Sequence, residues 1–246
     1  MRRIETWDAK ARVVSDEDVL AFYRRPCAFQ VELARLIEEQ CADAASVGVI
    51  EVGSSFGVTT ALLPPAKFHK TILDLSSQAL ERAGALFERI GQRVSIIHGD
   101  ALALSALEGG YDVAFSAGLA EHFPPAQRSA LIAGMAHITK PGGVVVLAVP
   151  NHDSLPYRVG YLLRVATGRW RYPRERRIGS AVFEARAVPE LVLEREAVLD
   201  KENIYHFLSR RLARVFRLMD RWMAWEGYLK VFVFRRRVPD GEGVRP

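Results

Sequence analysis

Cysteine is nearly absent from this chain: only Cys27 and Cys41 occur. Two thiols cannot make a disulfide framework, and their spacing is not that of a zinc site, so a reducing, cytoplasmic setting is expected and both read as helix packing residues. Long apolar runs are missing too. The longest, 144–149, is too short to cross a bilayer. The opening Met1-Arg2-Arg3-Ile4-Glu5-Thr6 has no apolar core of a secretory leader, so a soluble protein is expected. There is no internal repeat or low-complexity tract. Nor does the chain contain G-x-G-x-x-G, the turn that dinucleotide-binding folds place under a pyrophosphate. Its formal net charge of +5 is modest, so where the arginines sit matters more than their total.

What is present suffices for one large α/β domain: 246 residues, 49% of them hydrophobic. Residues 1–46 read as helices, with a cap-like acidic start from Ser15 to Asp18 and Leu33, Leu36, Ile37, Gln40 and Cys41 on one helical face. They are expected over a ligand cleft or a sheet edge. From Val47, short apolar runs at 49–52, 71–75, 94–97, 113–115 and 144–149 alternate with helical patterns such as 78–90 and 126–138. Such alternation implies a parallel sheet wrapped by helices. A strand at 192–198, a helical period from Ile204 to Trp222 and a final strand at 228–234 complete a domain over 47–238, and the tail 239–246 reads as disordered.

The most informative segment is Val47-Gly48-Val49-Ile50-Glu51-Val52-Gly53-Ser54-Ser55-Phe56-Gly57-Val58. A Val/Ile run reads as a strand buried on both faces, and the glycines after Glu51 let the backbone turn sharply into a helix. In an open parallel sheet, ligands bind beyond the carboxyl ends of the strands. Glu51, Asp74 and Asp100 stand at three successive strand ends. Each also suits a helix N-cap or a turn; all three in this order favour a ligand.

Glu51, Gly53 and Gly57 resemble the acid-x-G-x-G-x-G motif of class I S-adenosylmethionine-dependent methyltransferases, with Ser55 in place of the middle glycine. The resemblance extends through Ile72-Leu73-Asp74-Leu75-Ser76, Ile97-His98-Gly99-Asp100-Ala101, Tyr111-Asp112-Val113-Ala114-Phe115-Ser116 and Lys140-Pro141-Gly142-Gly143, about Val47 to Asn151. It implies a Rossmann-like seven-stranded sheet of order 3-2-1-4-5-7-6 with the last strand antiparallel. It also implies S-adenosyl-L-methionine as cofactor, held by Glu51, Gly53, Ser55, Gly57, Asp74, Leu75, Asp100, Ala101 and Ser116. Asp74 would take both ribose hydroxyls, a carboxylate having two oxygens to accept them. Asp100 would read the adenine amine, with the Ala101 N–H toward a ring nitrogen. No metal is implied.

Glu121-His122 after the fourth strand looks like a pair found in small-molecule members of the family. It nominates His122 as a catalytic base for a hydroxyl acceptor, the alternative being that it packs beside the cofactor.

Beyond Pro150 a lid-like insertion near 152–182 carries, between Asp153 and Ser180, Arg158, Arg164, Arg169, Arg171, Arg174, Arg176 and Arg177 opposed only by Glu175, with Tyr157, Tyr161, Trp170 and Tyr172 interleaved. It could clamp a carboxylate or phosphate, rest on anionic lipid, contact nucleic acid, or be a solvated loop. The expected activity is methylation of a small molecule, at oxygen first. RNA or lipid/quinone methylation, an NAD-dependent oxidoreductase and a cofactor-binding subunit without catalysis are the alternatives. Nucleic acid is disfavoured, since no Asn-Pro-Pro-Tyr follows the fourth strand and neither cysteine is placed to attack a pyrimidine.

Overall fold

The computed structural model describes residues 2–170, 172–178 and 188–239. Arg171, the far end of the insertion from 179, and the tail expected to be disordered, from 240, lie outside the described residues.

Seven strands form one sheet: β1 (Val47–Val52), β2 (Phe68–Asp74), β3 (Ser95–His98), β4 (Tyr111–Ala117), β5 (Thr139–Pro150), β6 (Leu191–Leu199) and β7 (Leu229–Arg236). Their order is 3-2-1-4-5-7-6, as expected. The pairs β3–β2, β2–β1, β1–β4 and β4–β5 are parallel, and β7 runs antiparallel to both β5 and β6.

Alternation of side chains along each strand splits the core in two. One face sends Ile50, Val52, Ala114, Val145, Leu147 and Phe232 against Leu131, Ile132 and Met135. These last belong to α6 (Pro125–Ile138). The other sends Val47, Val49, Val113, Phe115, Val146 and Val231 against Leu33, Leu36 and Ile37 of α3 (Ala28–Glu39). Each such side chain contributes roughly 1.5–3 kcal/mol by leaving water, which is why the central strands carry no polar alternation.

Ahead of α3 lie α1 (Arg2–Val13) and α2 (Asp16–Arg24). The cap expected at Ser15 is present: its hydroxyl accepts from the Asp18 N–H at 3.1 Å, and the Asp18 carboxylate accepts from the Ser15 N–H at 3.0 Å. After β1 comes the short α4 (Val58–Leu62), and after β2 the amphipathic α5 (Ser77–Arg89). Val19 and Leu20 of α2 meet Ala61, Leu80 and Ala83 in a third cluster, so the N-terminal helices close one end of the sheet. Beyond the sheet centre lie α7 (Leu155–Ala166) and α8 (Arg210–Met223).

Three local readings change. The helical period from Ile204 to Trp222 divides into a 3₁₀ turn, Glu202–Tyr205, and α8, because the Ser209 hydroxyl caps a new start by accepting from the Leu212 N–H at 3.3 Å. Lys140-Pro141-Gly142-Gly143 is an irregularity inside β5: Thr139 pairs with Tyr111, pairing resumes at Val144 with Val113, and Gly142 absorbs φ +77° between them. Cys41 is buried, whereas Cys27 is an exposed residue at the start of α3 and packs nothing away. Among the described residues no helix is long and apolar enough to cross a membrane.

Candidate active site

The turn between β1 and α4 is built from left-handed backbone at Gly53 (φ +75°), Ser55 (φ +49°) and Gly57 (φ +66°). A Cβ on Gly53 would stand 2.7 Å from Leu119 Cδ2, so only a bare backbone lets the loop after β4 approach. A Cβ on Gly57 would meet Phe87 Cε2 at 3.1 Å, so this glycine serves the packing of α5. Ser55 holds a conformation that costs a non-glycine residue energy. Its N–H donates to Asp74 Oδ2 at 2.8 Å, a charge-assisted bond that offsets the cost.

The three strand-end acids have different surroundings. Glu51 is buried; one oxygen accepts from the Thr60 hydroxyl at 2.5 Å and from the Thr60 N–H at 3.2 Å, fastening α4 to β1. Burial pushes its pKa up to about 8 although both Thr60 bonds oppose the shift. Asp74 accepts from the Ser55 N–H through one oxygen and from the Ser76 N–H, also at 2.8 Å, through the other. Burial raises its pKa while these backbone bonds pull it back. Asp100 is exposed, and one of its oxygens accepts from the Leu102 N–H at 2.9 Å.

A cleft of about 1520 Å³ opens beyond these strand ends. Gly53, Ser55, Asp74, Leu75, Asp100, Ala101 and His122 all line it. Glu51, Gly57 and Ser116 stand behind its wall; the Ser116 hydroxyl is buried with no hydrogen bond among the described residues, as is that of Ser54.

The rest of the lining is largely aromatic and was only partly legible. Trp7 of α1 meets His122 edge-on at 5.6 Å and reaches Tyr172 at 6.4 Å, so the N-terminal helix and the insertion meet above the cleft. Trp170 continues the wall, 5.3 Å from Tyr172, 4.8 Å from Tyr161 and 5.5 Å from Phe207. The interleaved Tyr161, Trp170 and Tyr172 signalled this wall in the sequence; no pattern pointed to Trp7 or Phe207.

Glu175, the one acid between Asp153 and Ser180, turns inward. Its carboxylate accepts from the Tyr157 hydroxyl at 2.6 Å and lies 3.0 Å from His152 Nε2, while its N–H donates to the Tyr161 hydroxyl at 3.1 Å. The next residue, Arg176, donates its N–H to the Glu121 carbonyl at 2.9 Å. The arginines divide. Arg177 pairs with Asp153 at 2.5 Å, and Arg158, Arg174 and Arg176 face solvent. Arg164 and Arg169 line the cleft, with Arg164 lying over the Phe207 ring at 5.2 Å.

His122 ends a 3₁₀ turn, Ala120–His122, that follows β4. Its Nε2 lies 3.7 Å from Glu121 Oε1, and its Nδ1 lies 3.5 Å from the Arg174 carbonyl oxygen. Glu121 is buried, its Oε2 makes no hydrogen bond among the described residues, and burial, with the Glu175 charge adding, pushes its pKa up to about 8. An imidazole between a buried carboxyl and an enclosed cleft can accept a proton from a bound hydroxyl.

This fold is that of the class I S-adenosylmethionine-dependent methyltransferases, and residues 49–143, from β1 into β5, match the family profile described as a methyltransferase domain. The chain thus contains a methyltransferase domain over residues 49–143, which speaks against the nicotinamide alternative. Solved structures agree on the fold. The one described for conversion of a disulfide bond into a thioacetal group during echinomycin biosynthesis is 18% identical, covers 95% of this chain and 93% of its own, and superimposes with a TM-score of 0.65. A putative methyltransferase from Bacillus halodurans C-125 gives 16%, 83%, 99% and 0.61 for the same quantities. Magnesium protoporphyrin IX methyltransferase from Synechocystis PCC 6803, solved with bound SAH, gives 15%, 85%, 83% and 0.59. No curated protein matches the chain.

Proposed function

We propose that the enzyme methylates a small, largely apolar molecule with an anionic group, at oxygen, with His122 as the base. When bound, S-adenosylmethionine supplies an electrophilic methyl group on a charged sulfur. The residues present suit it. Gly53 and Ser55 offer bare or nearly bare backbone at the cleft floor. Each oxygen of Asp74 keeps a lone pair beyond its backbone bond, enough for two ribose hydroxyls. The second oxygen of Asp100 is left for the adenine amine, with Leu75 and Ala101 beside it. Glu51, Gly57 and Ser116 act from behind the wall, Glu51 by holding α4 in place.

One observation carries the acceptor side: the cleft that joins these residues to His122 is walled by Trp7, Trp170, Tyr172 and Phe207, with Arg164 and Arg169 among them. Aromatic faces bind a flat apolar body, and a guanidinium binds a carboxylate or phosphate. The chain's own work is to orient that acceptor, exclude water and take its proton.

Labelled S-adenosylmethionine and fractionated cell extract test this reading. Label is expected in a small-molecule fraction, and His122→Ala is expected to lose about 10²–10⁴-fold in turnover with S-adenosylhomocysteine affinity unchanged. Label confined to RNA or lipid overturns the substrate class. Near-full turnover of His122→Ala across pH removes the base.

A further inference from the structure

Helix α8 carries more apolar surface than the fold uses. Its sequence is RRLARVFRLMDRWM, and only Ala213 and Phe216 are buried, against Tyr157, Ile204, Tyr205 and Leu208. Val215, Leu218, Met219 and Trp222 follow one another at helical spacing on a different face. All four are exposed, Leu218 by 61% and Trp222 by 87%. Single exposed apolar residues are ordinary; a continuous stripe ending in a tryptophan marks an interaction surface. Arg210, Arg214, Arg217 and Arg221 form a second stripe beside it, all exposed. The helix's one acid, Asp220, is already taken by Lys201 at 3.0 Å and by the Trp225 N–H at 2.8 Å.

We propose that α8 is an interfacial helix that seats the enzyme on an anionic lipid surface. The charge pattern chooses this occupant over a second copy of the chain. Two copies meeting antiparallel about a two-fold axis across the apolar stripes would bring both arginine rows together on one side. Lipid phosphates accept the arginines while the apolar stripe enters the acyl boundary, and a tryptophan suits the interface between them. Phe216 of α8 shares a buried cluster with Tyr157 of α7, the helix that opens the insertion. This role stands apart from methyl transfer, because α8 contributes nothing to the cleft lining.

The full chain is incubated with phosphatidylcholine vesicles, with and without phosphatidylglycerol, and co-sedimentation is measured at low and high salt. Binding is expected only to the anionic vesicles and to weaken with salt. Trp222→Ser with Leu218→Ser is expected to lower vesicle affinity at least about tenfold, and Arg214→Glu to lower it about fivefold or more. Both variants alter exposed side chains, and retained S-adenosylhomocysteine binding shows that they fold. No binding to anionic vesicles, or binding unchanged in the Trp222→Ser/Leu218→Ser variant, overturns the proposal. So does self-association in sedimentation equilibrium that Trp222→Ser abolishes while vesicle binding persists.

Discussion

Ser55 and Gly53 show how much one residue's backbone angle decides at the cofactor turn. The sequence pattern wants a glycine where Ser55 stands, and the structure keeps the left-handed angle there by tying the Ser55 N–H to Asp74. That tie was not legible, because it joins residues whose meeting depends on the register of β1 against β2. Gly53 has no such freedom to change. Gly53→Ala adds a methyl 2.7 Å from Leu119 Cδ2 at φ +75°. It is expected to cost about 1–3 kcal/mol of stability, to weaken S-adenosylhomocysteine binding, and to be partly rescued by Leu119→Ala, which removes the clashing atoms but not the backbone strain. Chemical denaturation of the single and double variants checks it. Full rescue would mean that strain at Gly53 contributes nothing.

At the scale of elements, the arginine-rich insertion was visible as a departure from the alternating pattern, but its organisation was not. Counting charge makes the arginines the feature to explain; the structure makes Glu175 the anchor, with a side chain only 6% exposed between His152 and Tyr157. Its importance comes from burial, which no local spacing reveals. Similarly, the period from Ile204 to Trp222 holds within α8 only from Leu212 onward, and it gave no sign of the cap at Ser209 that starts a separate helix. If the insertion is held over the cleft through Glu175, then Glu175→Ala leaves the Tyr157 hydroxyl and His152 without their acceptor. A loss of about 1–3 kcal/mol is expected, together with an acceptor KM raised about tenfold and cofactor affinity nearly unchanged. Steady-state kinetics paired with calorimetry separates the two effects. An equal loss in both affinities would mean general unfolding of the site.

For the whole molecule, a parallel sheet with its cleft beyond the strand ends was legible from the alternating runs, and the order of its strands was implied by the family resemblance. Which strand-end acids face the cleft was not: Glu51 has the best motif position and is turned away. The cost of that burial belongs to the fold as a whole. Glu51 and Glu121 are both pushed up to about 8 from an ordinary 4.5, mainly by burial. Between those values the folded protein keeps protons that the unfolded chain has released. The stability they contribute is therefore fully present below about pH 4.5 and is lost as pH rises through about 8. At the acid end, Asp153 acts oppositely. Lys230 and Arg177 hold its pKa below 3.8, so its contribution fades as pH falls below that value. Unfolding free energy is expected to decline from about pH 5 to about pH 8. Glu121→Gln, which removes one of the two titrations, is expected to flatten that decline and to gain about 1–3 kcal/mol on the wild type at the alkaline end. Urea unfolding across this range measures both slopes. A wild type that gains stability toward pH 8, or a Glu121→Gln slope equal to the wild type's, would show that Glu121 is ionised inside the folded protein and matched there by a positive charge.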